Sequence, residues 1–144
     1  MNARDDNVNE NQRRAIGIAL AGLDEVLCEI ESWMDGREAR GVLYVETNDI
    51  PSHRRGSFRR RVDEARKLLV EARDRLGLKT TEVRASSRVW SCCCGLRDTL
   101  SELGAKHMKG YGELPPEPAR YMNDLSARLV SAVDRLAEEA KSGA

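Results

Sequence analysis

The stretch from Val83 to His107 limits the possible folds more than any other. Its residues Val89, Cys93, Leu96, Leu100, Leu103 and His107 are spaced four, three, four, three and four apart. An α-helix turns once in ~3.6 residues, so this spacing draws one stripe along a helix, the seam of a helix packed on other helices. A half-buried strand would alternate instead.

Three other segments repeat the rhythm. The first carries Ile16, Leu20, Leu23, Leu27, Ile30 and Met34, and the second Phe58, Val62, Ala65, Leu69, Ala72 and Leu76. The last carries Met122, Leu125, Leu129, Val133, Leu136 and Ala140. Four amphipathic helices, each with one apolar stripe, predict an all-α, single-domain antiparallel four-helix bundle spanning residues 1–144. Short links make the second and third helices, and the third and fourth, antiparallel neighbours. The longer link after the first leaves room for a crossover.

Local signals set the boundaries. Met1 to Asp6 is expected to fray, and Asn7 with Glu10 has the form of a capping box for the first helix, which stops near Asp35 at Gly36. Gly17 and Gly22 weaken that helix by roughly 1 kcal/mol each against Ala, and are expected to mark the close approach of a neighbouring helix. The second helix starts at Ser52 or Ser57 and ends at Leu76, with Gly77 as its C-terminal glycine and Leu78 as the accompanying apolar contact. Thr80 or Thr81 caps the third helix, which runs to Lys109 and closes at Gly110. The Tyr111–Pro118 turn is stiffened by prolines that suit the first turn of the fourth helix, which frays at Ser142.

Residues 36–51 break the pattern. Loops beyond ~12–15 residues are uncommon in compact domains and tend to be functional or mobile. This one holds the apolar, β-prone run Val42, Leu43, Tyr44 and Val45. A lone strand leaves backbone groups unpaired on both sides. The favoured expectation is an extended strap across the bundle, with pairing to a second copy as the alternative.

Charge and composition narrow the function classes. Lys and Arg together number 24 and Asp and Glu 24, so no global field draws the chain to nucleic acid or an anionic membrane. Residues 1–14 lack the apolar core of an export signal, and Asp24 and Glu25 cut short the apolar run Ala15–Leu23, so no membrane span is expected. The four cysteines are not spaced as a disulfide framework, which places the protein in a reducing cytoplasm with free thiols.

Few residues carry chemistry. Cys92, Cys93 and Cys94 are adjacent. Successive helical side chains diverge by ~100°, so three neighbouring thiols cannot grip one ion together, and no zinc spacing occurs. Cys93 falls on the seam, while Cys92 and Cys94 flank it as the candidate redox-sensitive thiols. His107 closes the seam without a second histidine in a matching position. The cluster His53, Arg54, Arg55, Arg59, Arg60 and Arg61 opposes the dipole at a helix N-terminus and so needs a compensating partner. Acidic residues of the first helix, or of another subunit, are the favoured one. Ser57, in Arg-Arg-Gly-Ser, suits a basophilic kinase only loosely.

No nucleophilic triad, phosphate-cradling loop, paired catalytic carboxylates or cofactor fingerprint is present, and no cofactor or metal is expected. The leading reading is a cytosolic protein without catalysis that works by protein–protein contact and self-associates as a homodimer, or binds another protein. Its interface candidates are Val42, Leu43, Tyr44, Val45, Trp90, Arg59, Arg60 and Arg61. A nucleic-acid-associated regulator using the same arginines is the alternative, disfavoured by neutral net charge. A ligand binder or enzyme with a site inside the bundle is the third reading, and would need convergent polar groups around Cys93, His107 and Ser86.

Overall fold

The computed structural model describes residues 7–142, so the expected fraying of Met1 to Asp6 lies outside the described residues. The fold is all-α. Its helices are α1 (Glu10–Met34), α2 (Ser52–Leu76), α3 (Ala85–Ser101), the short α4 (Ala105–Met108) and α5 (Pro116–Ser142), with a 3₁₀ turn at Lys109–Tyr111. Among the described residues the only β pairing is an isolated bridge between Arg40 and Val45. The chain divides into two compact units, Met1–Thr81 and Glu82–Ala144.

The first unit is the hairpin of α1 and α2. Its start differs from expectation by two residues. The capping box is formed by Asn9 and Gln12, the Gln12 N–H donating to Asn9 Oδ1 at 2.8 Å and the Asn9 N–H to Gln12 Oε1 at 3.0 Å. Asn7 and Glu10 have the same spacing, but only the Asn9 pair satisfies both backbone donors. Leu27, Met34 and Val62 are buried between the helices. Leu23, though on the expected seam, is 42% exposed. Gly17 and Gly22 face open space, since a Cβ added at either meets nothing within 4 Å. Among the described residues no neighbouring helix approaches either glycine.

Arginines close the hairpin at both ends. At one, Arg13 Nε donates to the Leu76 carbonyl at 2.7 Å, and at the other Arg59 Nη2 donates to the Met34 carbonyl at 3.0 Å and to Asp35 Oδ1 at 2.8 Å. Each arginine therefore sits on the negative end of the opposite helix dipole. Arg66 pairs with Glu31 between them. The C-terminus of α2 follows expectation: Gly77 adopts φ 64°, and the Leu78 N–H reaches the Arg73 carbonyl at 3.0 Å.

In the second unit α3 packs on α5, burying Cys93 and Ser126. Two expectations fail here. The helix starts at Ala85 with no side-chain cap, rather than after Thr80 or Thr81. It also stops at Ser101 instead of continuing to Lys109. The stop has a local cause and a tertiary one. Gly104 turns extended (φ −58°, ψ 153°), and α5 supplies the hydrogen bonds that the break exposes. Ser126 Oγ donates to the Leu100 carbonyl at 2.7 Å, and Asn123 Oδ1 accepts the Ala105 N–H at 2.8 Å. A Cβ on residue 104 would come within 3.4 Å of Asn123 Oδ1. Arg97 and Asp134, 3.4 Å apart, tie the same two helices further along.

Removing Asn123 tests this account of the break. Asn123→Ala is expected to cost about 1 kcal/mol in denaturant unfolding, the usual value of a lost helix cap. In hydrogen exchange, amides of α4 should lose protection while those of α3 and α5 keep theirs. Unchanged exchange in α4 would show that the break does not depend on α5.

Candidate functional site

The long α1–α2 connection folds into a braced finger. Gly36 turns the chain at φ 95° just past α1, and Asn48 returns to cap the helix end, its Nδ2 donating to the Trp33 carbonyl at 2.7 Å. The Asn48 N–H is in turn held by Glu38 Oε1 at 3.0 Å. Between these anchors residues 39–46 double back as a minimal hairpin. The Gly41 N–H donates to the Tyr44 carbonyl at 2.7 Å and the Glu46 N–H to the Ala39 carbonyl at 2.8 Å, flanking the Arg40–Val45 bridge.

This geometry corrects the strap expectation. The run 42–45 does not lie buried along a helix face; it pairs with its own chain and projects. Val42 and Leu43 form the two-residue tip at 98% and 101% exposure, and Tyr44 and Val45 are also exposed. The physical reason is visible at the base. Pairing within the hairpin satisfies backbone groups that a lone strap would leave open, and the side chains of 33, 37, 44 and 46 lock together there.

Glu46 is the centre of that brace. Its carboxylate accepts from Trp33 Nε1 at 2.7 Å and from the Tyr44 hydroxyl at 3.0 Å, and pairs with Arg37 Nε at 3.3 Å. Arg37 lies over the Trp33 ring, 5.8 Å from its centroid. The Trp33 hydrogen bond, with smaller help from Tyr44 and Arg37, holds the Glu46 carboxyl below its ordinary pKa against the opposing effect of desolvation. The hydrogen bond to Glu46, followed by its charge, raises the Tyr44 phenol in turn.

The other candidates fall elsewhere. Of the three arginines expected at an interface, Arg59 is engaged with the end of α1 and Arg61 with Glu64 at 3.0 Å, while Arg60 is exposed on α2. Trp90 is 44% exposed on α3. Cys92 and Cys94 are exposed on either side of the buried Cys93, and all four cysteines are free. Arg66 Nη2 approaches Cys28 Sγ at 3.7 Å. Phe58 on α2 and Tyr111 and Tyr121 of the second unit are also solvent-facing.

An open depression of about 530 Å³ lies at the α3–α4 break, lined by Ser101, Lys106, His107, Asn123, Ser126 and Val130. Its best-placed polar atoms, on Asn123 and Ser126, are already used on the Ala105 N–H and the Leu100 carbonyl. His107, expected to end the seam, is exposed. Among the described residues no group of three or more His, Cys, Asp or Glu side chains could hold a metal ion. Among the same residues no helix is long and apolar enough to cross a membrane.

Sequence reasoning found the tip and missed its brace. Arg37, Glu46 and Asn48 carry no motif, and each is ordinary for a polar loop. A weak signal existed in the opposite charges of Arg37 and Glu46, placed on either side of Gly41-Val42-Leu43. Comparison with protein-family models, with curated proteins and with solved structures finds no match for this chain.

The brace predicts a pH response. Glu46 has a lower pKa in the folded loop than in an unfolded chain, so its contribution is complete above the ordinary glutamate value of ~4.3 and is lost as pH falls through the lower folded value. In a Trp90→Phe background, Trp33 fluorescence should shift with a midpoint below ~4.3. Glu46→Gln should remove that transition. A midpoint at or above the ordinary value would contradict the brace.

Proposed function

We propose that this protein acts by contact with other proteins, without catalysis of its own, and that it self-associates. The observation that carries the reading is the finger. Two aliphatic side chains stand almost wholly in water at its tip, on a base fixed by Glu46, Arg37, Trp33 and Asn48. Burying a Val or Leu is worth roughly 1.5–3 kcal/mol each, and a fixed scaffold lowers the entropy cost of docking them. Turn formation does not explain the pair. Two-residue hairpin loops favour Asn-Gly or Gly-containing pairs at positive φ, and among the described residues positive φ occurs only at Gly36, Gly77 and Gly112.

Small cores support the same reading. The first unit buries Leu27, Met34 and Val62, and the second Cys93 and Ser126. Units of this size need more buried apolar surface, or an assembly partner, to be independently stable. Ile18, Val26 and Leu68 in the first unit and Val89, Leu96 and Leu136 in the second remain open to receive it. The antiparallel four-helix bundle belongs to this proposal as one way of covering Leu68, Val89, Leu96 and Leu136. A cytoplasmic setting belongs to it as well, supported by four free thiols.

The nucleic-acid reading has less support, since Arg59 and Arg61 are occupied by Asp35 and Glu64. An internal ligand site also has less, because Asn123 and Ser126 on the depression are used to stitch the helix break.

A photo-crosslinking residue at position 43 tests the finger directly. Irradiation of the protein in its native cells should give a discrete adduct, at twice the chain mass for a second copy or at another mass for a different protein. Arg37→Ala with Glu46→Ala should reduce the yield several-fold by loosening the base. No adduct at any mass would overturn the finger as a contact element.

A further inference from the structure

We propose that the outward face of α1 is the surface on which two copies of this chain meet, packed antiparallel about a two-fold axis near Gly22. This rests on the self-association reading and supplies its geometry. Opposite the residues that α1 turns to α2, a second stripe reads Ala15, Ile18, Gly22, Val26 and Glu29, with intervals of three and four. Ile18 is 69% exposed and Val26 50%, both high for β-branched residues in a helix interior. Open space stands above Gly22. The glycine weakens the helix by roughly 1 kcal/mol against Ala without a turn or a positive φ to justify it. A helix crossing at that point would use the missing side chain.

The charges on the stripe select a second copy, and its direction. Arg14 stands near the N-terminal end and Glu29 near the C-terminal end, both exposed. Among the described residues neither side chain takes part in an ion pair. A parallel partner would set Arg14 beside Arg14 and Glu29 beside Glu29. An antiparallel one with its axis near Gly22 sets Ile18 against Val26 and brings Arg14 within one residue's rise of the partner copy's glutamate at position 29. The two-fold repeats that ion pair at the other end of the seam, so one attractive contact is made twice. Antiparallel helices also oppose their dipoles favourably.

Charge exchange tests this register. Sedimentation equilibrium on the full chain should show a dimer. Arg14→Glu alone and Glu29→Arg alone should each weaken it roughly tenfold, because each reversal creates two repulsive contacts. The double exchange R14E/E29R should restore the affinity to near the starting value, and Ile18→Asp should abolish the dimer. Circular dichroism will show whether each of the four variants keeps its helices, which the three substitutions, lying on the outer face, should preserve. A dimer indifferent to these changes would overturn the α1 interface and leave self-association standing. A dimer weakened by both single changes but not restored by the double would overturn the antiparallel pairing. A chain monomeric up to hundreds of micromolar would overturn both self-association and this interface.

Discussion

The first unit depends on one kind of contact used twice: an arginine near the start of one helix laid on the last carbonyls of the other. Arg13 does this to the Leu76 carbonyl and Arg59 to the Met34 carbonyl, with the Asp35 carboxylate as a second acceptor for Arg59. The last four carbonyls of a helix have no partner within it, and the dipole makes that end attractive to cations. An antiparallel hairpin puts the start of each helix beside the end of the other, so the two needs meet. The arginine cluster of α2 would be badly placed on an isolated helix. In the hairpin, Arg59 gains from the neighbouring terminus what it loses at its own.

The apolar seams were readable in part, because they depend only on period; Leu23, Phe58, Val89, Leu96 and Leu136, all expected on them, stand exposed. On α2, Val62, Ala65, Leu69, Ala72 and Leu76 all face inward or partly so. The acidic end of α1 was also readable as a counterpart of the arginine cluster, and Arg59–Asp35 is such a pair, while Arg66–Glu31 lies outside the expected cluster. The break in α3 was not. Leu100, Leu103 and His107 keep the helical interval, and Gly104 alone is a weak breaker. What decides is Asn123 and Ser126 on α5, side chains 18 and 26 residues away in sequence from the Ala105 and Leu100 groups they bond, which no local window connects. Propensity lost to a tertiary hydrogen bond.

The finger shows the same limit at closer range. Its apolar content and β tendency are plain in Val42-Leu43-Tyr44-Val45, and a strap was the economical inference, since apolar residues usually find cover. The direction of projection depends on Glu46 gathering Trp33, Tyr44 and Arg37, a four-way convergence of common residues with no fixed spacing. Charge-assisted hydrogen bonds of this type are stronger than neutral ones, and several on one carboxylate define a single geometry. The polar base therefore overrides the preference of the apolar tip to lie down on a helix.

That override bears on what the tip is for. A flexible loop carrying Val42 and Leu43 could fold them against the nearest apolar surface and leave little in water. A braced hairpin cannot, so its exposed tip is a property of the rigid base rather than of the tip residues. Rigidity and exposure together are the two conditions under which a small apolar projection binds well, because little ordering remains to be done when it docks. The outward stripe of α1 meets the same conditions by another route, with its side chains fixed by the helix backbone and its charges arranged end to end. Both surfaces lie on one hairpin, and both are held in place by the arginine contacts that close it.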